Sequence, residues 1–278
     1  MFNRWLGIVS LVLMVGANAA LVLRDLVPGW TAGDPPRPQS LCLQAGQVYR
    51  TQTGLYQQAG LRIGTVWTES QRSTASTLVT NWMLLEPLTL SREAVTPRLL
   101  IFTKLSYPES DQLGELELRV LGLDVPVELR GEFVPPNEFP CEWRFGDRRG
   151  SFILSARALR SVGDVFKPFE SLPGLKLGQT WRMQLFNPLA GLFPGWQLDL
   201  IASQTALARV TRIERLEIDG VDVETHVVET DGVRAWVDPG GRVLRQEVEL
   251  PLLGNLTVVD EPFELLARER VLLRLRHR

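Results

Sequence analysis

The sequence predicts an extracytoplasmic domain built mainly of β-structure, a large curved antiparallel sheet or half-barrel, preceded by an N-terminal transmembrane helix. Three observations carry that expectation. Residues 5–23 run without a charge, a length that spans a hydrocarbon core of about 30 Å as a helix. Short runs rich in Val, Leu, Thr, Trp and Arg then alternate with Gly, Pro, Asn and Asp along the rest of the chain, as strands separated by turns do. Four Asp-Gly, Gly-Gly or Gly-Asn pairs punctuate residues 210–259 at near-regular intervals.

Residues 1–24 form the membrane segment. Arg4 and the α-amino group precede the apolar run, while Arg24 and Asp25 after it cancel, so the charge bias leaves the N-terminus in the cytoplasm and the remainder on the periplasmic side. Ala17, Asn18 and Ala19 also form an A-x-A-like cleavage site, so a cleavable signal peptide and an uncleaved anchor both fit. The apolar run continues through Leu23 past that site, which favours the anchor.

Residues 25–42 carry four prolines and two glycines, a composition suited to a spacer, and the domain is expected over residues 43–278. Strands are expected at 61–68, 77–85, 99–105, 115–121, 127–133 and 151–155. The clearest stretch is 210–259, where Asp219-Gly220, Asp231-Gly232, Gly240-Gly241 and Gly254-Asn255 supply the positive φ angles of tight hairpins, giving a meander of about five strands. Two apolar, Gly/Pro-punctuated stretches, 163–174 and 186–196, separate strands.

The composition excludes some functions. A formal charge of −2 and a pI near 5.9 offer no basic face to gather phosphate, which argues against nucleic acid as a partner. Of two histidines, His277 sits beside the C-terminus and His226 lies in an alternating strand pattern, so the usual general base is missing from most triads. Asp222, Glu224, Glu229 and Asp231 read as turn residues and a wet strand face. No catalytic residue, metal ligand or cofactor site is assigned, and an enzyme is not expected.

Cys42 and Cys141 are an even number in a compartment that permits disulfides. A bridge and two free thiols both remain open. Phe186, Leu189, Leu192, Phe193 and Trp196 make a connection more apolar than a solvated loop should be; it is the candidate lid of a ligand site, with a bilayer-touching tip or simple burial as alternatives. Six indoles, Trp67, Trp82, Trp143, Trp181, Trp196 and Trp236, either fill the core or line a cavity. At the C-terminus five arginines stand against Glu269, and the alternation of Val271, Leu273 and Leu275 with Arg270, Arg274 and Arg276 predicts a basic edge strand, with contact to anionic lipid as the alternative.

The segments GLRIGTVWTES (60–70), KLGQTWRMQLF (176–186) and AWVDPGGRVLRQEVELPLLGNLTV (235–258) resemble a family of exported bacterial proteins whose sheet is similar to that of the periplasmic lipoprotein carriers. That resemblance implies a curved antiparallel sheet around an apolar cavity and transfers no functional residue. The last of these segments also resembles the stretch preceding transglutaminase-like catalytic domains, but no cysteine follows it here. The expected function is a membrane-anchored binding or accessory protein of the cell envelope, its partners being the membrane and an apolar small molecule such as a lipid; the alternative is a structural or assembly subunit binding another envelope protein.

Overall fold

The computed structural model describes residues 13–18, 21, 32–57, 60–87, 95, 97–108, 112–125, 127–155, 162–164, 167–186, 204–218, 220–250, 254–265 and 267–269. Fifteen strands follow in chain order: β1 (Val48–Gln57), β2 (Arg62–Arg72), β3 (Ser76–Leu85), β4 (Leu99–Pro108), β5 (Glu115–Leu121), β6 (Val127–Glu132), β7 (Glu138–Phe145), β8 (Arg148–Ser155), β9 (Val162–Asp164), β10 (Thr180–Phe186), β11 (Gln204–Ile218), β12 (Val221–Thr230), β13 (Val233–Val237), β14 (Val243–Leu250) and β15 (Gly254–Glu261).

All fifteen belong to one sheet in the order β8-β7-β6-β5-β4-β3-β2-β1-β15-β14-β13-β12-β11-β10-β9. Every neighbouring pair is antiparallel except β9 with β10. Two meanders, β1 to β8 and β10 to β15, are therefore joined side by side through β1 and β15, with Gln52 opposite Glu261 and Leu55 opposite Val258. The sheet is mainly antiparallel and unclosed, and its two edges are β8 and β9.

Its curvature follows from chain lengths. A flat sheet of this size would be about 67 Å wide at 4.8 Å per strand, yet only residues 156–161 connect β8 to β9, a link that reaches at most about 25 Å. The edges must come together, and the face they enclose holds the core. Leu55, Val66, Met83, Ile101, Leu118, Leu129 and Phe139 from one meander join Trp181, Val210, Val228, Ala235 and Leu256 from the other in a single buried cluster. A smaller cluster, Trp67, Leu84 and Leu100 with Trp82 and Phe263, lies on the outer face of β2 to β4.

The expected strands match β2 to β6 and β8, and the five-strand meander is β11 to β15. β1, β7, β9 and β10 were not anticipated: Gly54 and Pro140 interrupt the patterns of β1 and β7, and β9 overlaps the stretch 163–174 expected to be irregular. Among the tryptophans, Trp181, Trp67 and Trp236 are buried and Trp82 and Trp143 half-buried, while Trp196 lies outside the described residues. Residues 265 and 267–269 are helical; the expected basic strand at 270–276 lies outside the described residues. Among the described residues no helix is long and apolar enough to cross a membrane, and most of residues 1–31 lie outside that set.

The cysteines are both free, so the bridge left open by the sequence is not formed. Cys42 is exposed at the end of a 3-10 helix, Gln39–Cys42, whereas Cys141 faces the core from β7 with its thiol directed at the Phe139 carbonyl, 3.7 Å away. Burial pushes the Cys141 thiol up to about 12. The native protein at pH 8 should therefore react with one equivalent of thiol reagent, at Cys42, and with two after unfolding. Because the unfolded thiol loses its proton near the ordinary 9.0 while the folded one keeps it, stability conferred by Cys141 is complete below about 9 and lost as the pH rises toward 12. In urea titrations the decline that begins near pH 9 should start later in Cys141→Ala, leaving the part that Tyr49 and Tyr107 contribute above about 10.

Candidate functional site

Residues 167–175 cross the inner face as a strap between the two meanders. The Lys167 ammonium donates hydrogen bonds to Thr51 Oγ1 at 3.1 Å and Thr68 Oγ1 at 3.0 Å, two residues that face each other across β1 and β2. Two positions on, Phe169 donates its N–H to Gln246 Oε1 and accepts from Gln246 Nε2, at 3.0 and 2.9 Å. The buried amide thus supplies both partners that a neighbouring strand would give this piece of backbone. The Phe169 ring meets Trp181 of β10 edge-on, with centroids 6.4 Å apart. β2 and β10 stand seven places apart in the sheet, about 34 Å if it were flat, yet three consecutive strap residues touch both.

The far end of the strap is latched to the turn between β13 and β14. Leu172 donates its N–H to the Gly241 carbonyl at 2.7 Å, and Ser171 bridges to Arg242. Gly241 has φ +90°, and a Cβ there would meet Pro173 backbone at 2.5 Å, so only glycine admits the strap at this point.

Beneath the strap an otherwise apolar face turns polar. Thr51, Thr68, Asn81 and Thr103 form one rung across β1 to β4. Thr53 lies one rung to one side and Ser70 one rung to the other, each about 7 Å along its strand. Thr53 is 4% exposed and Ser70 0%; Thr53 Oγ1, Ser70 Oγ and Asn81 Oδ1 are buried without a protein hydrogen-bond partner. Glu170 interacts with Tyr49 and Tyr107, whose hydroxyls are pushed above the ordinary range first by burial and then by that carboxylate. Burial also raises the Asp260 carboxyl, against the opposing pull of Arg242 and Lys167.

This group differs from the one the sequence singled out. Phe186 closes β10, and Leu189, Leu192, Phe193 and Trp196 lie outside the described residues. His226 sits on β12 between Ile213 and Val237, and Glu229 is paired with Arg212 and Arg234, as a wet strand face should be. Among the described residues no group of His, Cys, Asp or Glu could hold a metal ion. The Lys167 site was missed, although one basic and one acidic residue inside an apolar, proline-flanked stretch was a signal that charge is needed there.

Two outer-face grooves of about 590 and 600 Å³ carry charge of both signs. The first is lined by Lys104, Glu117, Arg130 and Glu142, the second by Glu229, Arg234, Arg245 and Glu247. Their exposed ion pairs contribute little each. Trp236 lies between Arg234 and Arg245, whose guanidinium carbons are 5.9 and 5.3 Å from its ring, and its Nε1–H donates to Glu214.

No protein-family model matches the sequence, and no curated protein matches it. Among solved structures, a β-barrel-like protein of a domain of unknown function, DUF1849, from Brucella abortus is similar at 8% identity, covering 80% of this chain and 100% of that one with a TM-score of 0.41. A DUF1089 family protein from Pseudomonas aeruginosa is similar at 13% identity over 64% of this chain and 87% of its own, with a TM-score of 0.34.

Two substitutions test the strap. Gly241→Ala should cost about 2–4 kcal/mol, because a strained φ and a backbone clash fall at the latch. Lys167→Met should cost about 2–3 kcal/mol, since it strands the buried Thr68 hydroxyl and the half-buried Thr51 hydroxyl and removes a cation from beside Asp260. Urea unfolding measures both, and a loss below about 0.5 kcal/mol in either would show that the strap is not held as described.

Proposed function

We propose that the chain is a membrane-tethered, non-enzymatic binding module of the cell envelope, whose inner face takes an amphiphile with a hydrogen-bonding head. The observation that carries this reading is the set of buried oxygens of Thr53, Ser70 and Asn81 without a protein partner, set in a wall of Leu55, Val66, Val79 and Met83. Buried polar atoms are nearly always hydrogen-bonded, and a ligand with a polar head and an apolar body meets both surfaces. The tether is supported by the apolar helical residues Leu13, Met14, Val15 and Leu21, which stand 68%, 58%, 57% and 49% exposed, as side chains facing lipid would.

Binding of a dansyl fatty acid to the purified full-length chain tests the ligand. Micromolar binding, displaced by oleate, is expected, and Thr53→Val with Ser70→Ala should weaken it about tenfold, the loss of roughly one hydrogen bond to the head. If the parent chain binds no probe, the three oxygens are met by ordered water and the ligand reading falls. The alternative, an assembly subunit, would then stand on the edge strand β8, where Arg148 and Arg149 are exposed and one side of the strand has no neighbour among the described residues. For the tether, charged residues in place of Leu11, Val12, Leu13 and Met14 should abolish membrane fractionation. Protease outside spheroplasts should digest the domain, and protection would reverse the orientation.

A further inference from the structure

β11 and β12 are longer than the sheet that holds them. β10 pairs with β11 only through Arg209, and β13 pairs with β12 only from His226 onward. Beyond those points residues 214–218 pair with 221–225 alone, from Glu214 opposite Thr225 to Ile218 opposite Val221. The result is a two-stranded arm that projects about 17 Å past the sheet, five residues at 3.4 Å each.

Cross-strand partners share a face, so Leu216 with Val223 and Ile218 with Val221 form an apolar strip at the tip of the arm. Val221 is 62% exposed, and the other three are half-buried. The opposite face is charged, with Arg215 across from Glu224 and Glu217 across from Asp222. Free two-stranded hairpins are marginal in water, and among the described residues no third strand pairs with the arm.

We propose that the arm tip docks on the surface of the lipid bilayer, on the side of the domain where the N-terminal tether leaves it. This rests on the tether proposed above. Gly33 donates its N–H to the Thr180 carbonyl at 2.9 Å, at the first residue of β10, which is the end of the sheet toward which β11 runs. Eleven residues lie between Gly33 and the helical Leu21, twelve steps that span at most about 43 Å, so an anchor in the membrane and the arm tip reach the same plane. Residues 265 and 267–269, which lead into the arginine-rich C-terminus, follow β15 at this same end, with the Glu264 N–H bonded to Gln52. Leu177, 62% exposed, lies there too, in the turn whose Gly178 bonds to Val210 at the base of the arm.

The arm's outer edges keep unpaired backbone groups, which forbids burial in hydrocarbon and limits docking to the interfacial layer. The charged face, with Arg215, Glu217, Asp222 and Glu224, lies opposite the strip and stays in water when the strip docks.

The test uses the full chain with Cys42→Ser, Val221→Cys and an NBD label, reconstituted in phosphatidylcholine vesicles that carry shallow doxyl-lipid quenchers. A second sample carries the label at Asp147→Cys in the turn between β7 and β8, at the opposite end. Flotation with the vesicles is read on both. Flotation with several-fold stronger quenching at position 221 than at 147 is the expected result. Flotation with equal quenching overturns the docked arm and leaves the tether standing. Failure to float overturns the tether, and the docked arm with it.

Discussion

The short link between β8 and β9 is the constraint on which the rest of the molecule depends. A sheet of fifteen strands has a strong tendency to twist and coil, but twist alone does not decide where its two edges go. Here the chain leaves one edge at Ser155 and enters the other at Val162, so the sheet must curl within a few residues' reach. Everything buried follows from that curl: Leu118 and Val228, eight strands apart in the sheet order, share one core. The same constraint explains why the inner face is continuous while the outer face carries only a small satellite cluster around Trp67 and Leu100.

Curling creates an interior that the sheet alone must furnish, and the strap is how this chain does it. Its backbone would be unsatisfied inside such a volume, which is why Gln246 answers both polar groups of Phe169 and the Gly241 carbonyl answers Leu172. Lys167 adds a charge where charge is expensive. Thr51 and Thr68 take two of its protons, and Asp260 lies close enough to feel it. The Thr51 and Thr68 end of the polar rung beneath is thus held from above by Lys167.

The strands were legible because their chemistry is local. Val, Thr and Trp alternate with charged residues, and Asp231-Gly232 or Gly240-Gly241 announce turns wherever they occur. β7 was hidden by Pro140, which interrupts a strand pattern, and β1 by a glycine and a run of polar residues whose inward member Thr51 bonds the strap. The site was not legible for a different reason. Thr51, Thr68, Asn81 and Lys167 are scattered over more than a hundred positions, and each looks ordinary until the curl superimposes them. The apolar loop from Phe186 drew attention by composition, yet composition identifies a surface that wants covering, not the group that needs it.

The seam between β1 and β15 has a kinetic meaning. Each meander is built from hairpins whose partners are neighbours in sequence, contacts that close short loops and form early. The seam joins positions such as Gln52 and Glu261 that are separated by nearly the whole domain, and its closure entropy falls due only once. Two half-sheets formed independently would then zip along a single pair of strands, and until they did, the inner halves of β1 and β15 would be open edges exposed to other chains. Zipping the seam covers both of those edges in a single step, so the exposure ends as soon as β1 and β15 pair.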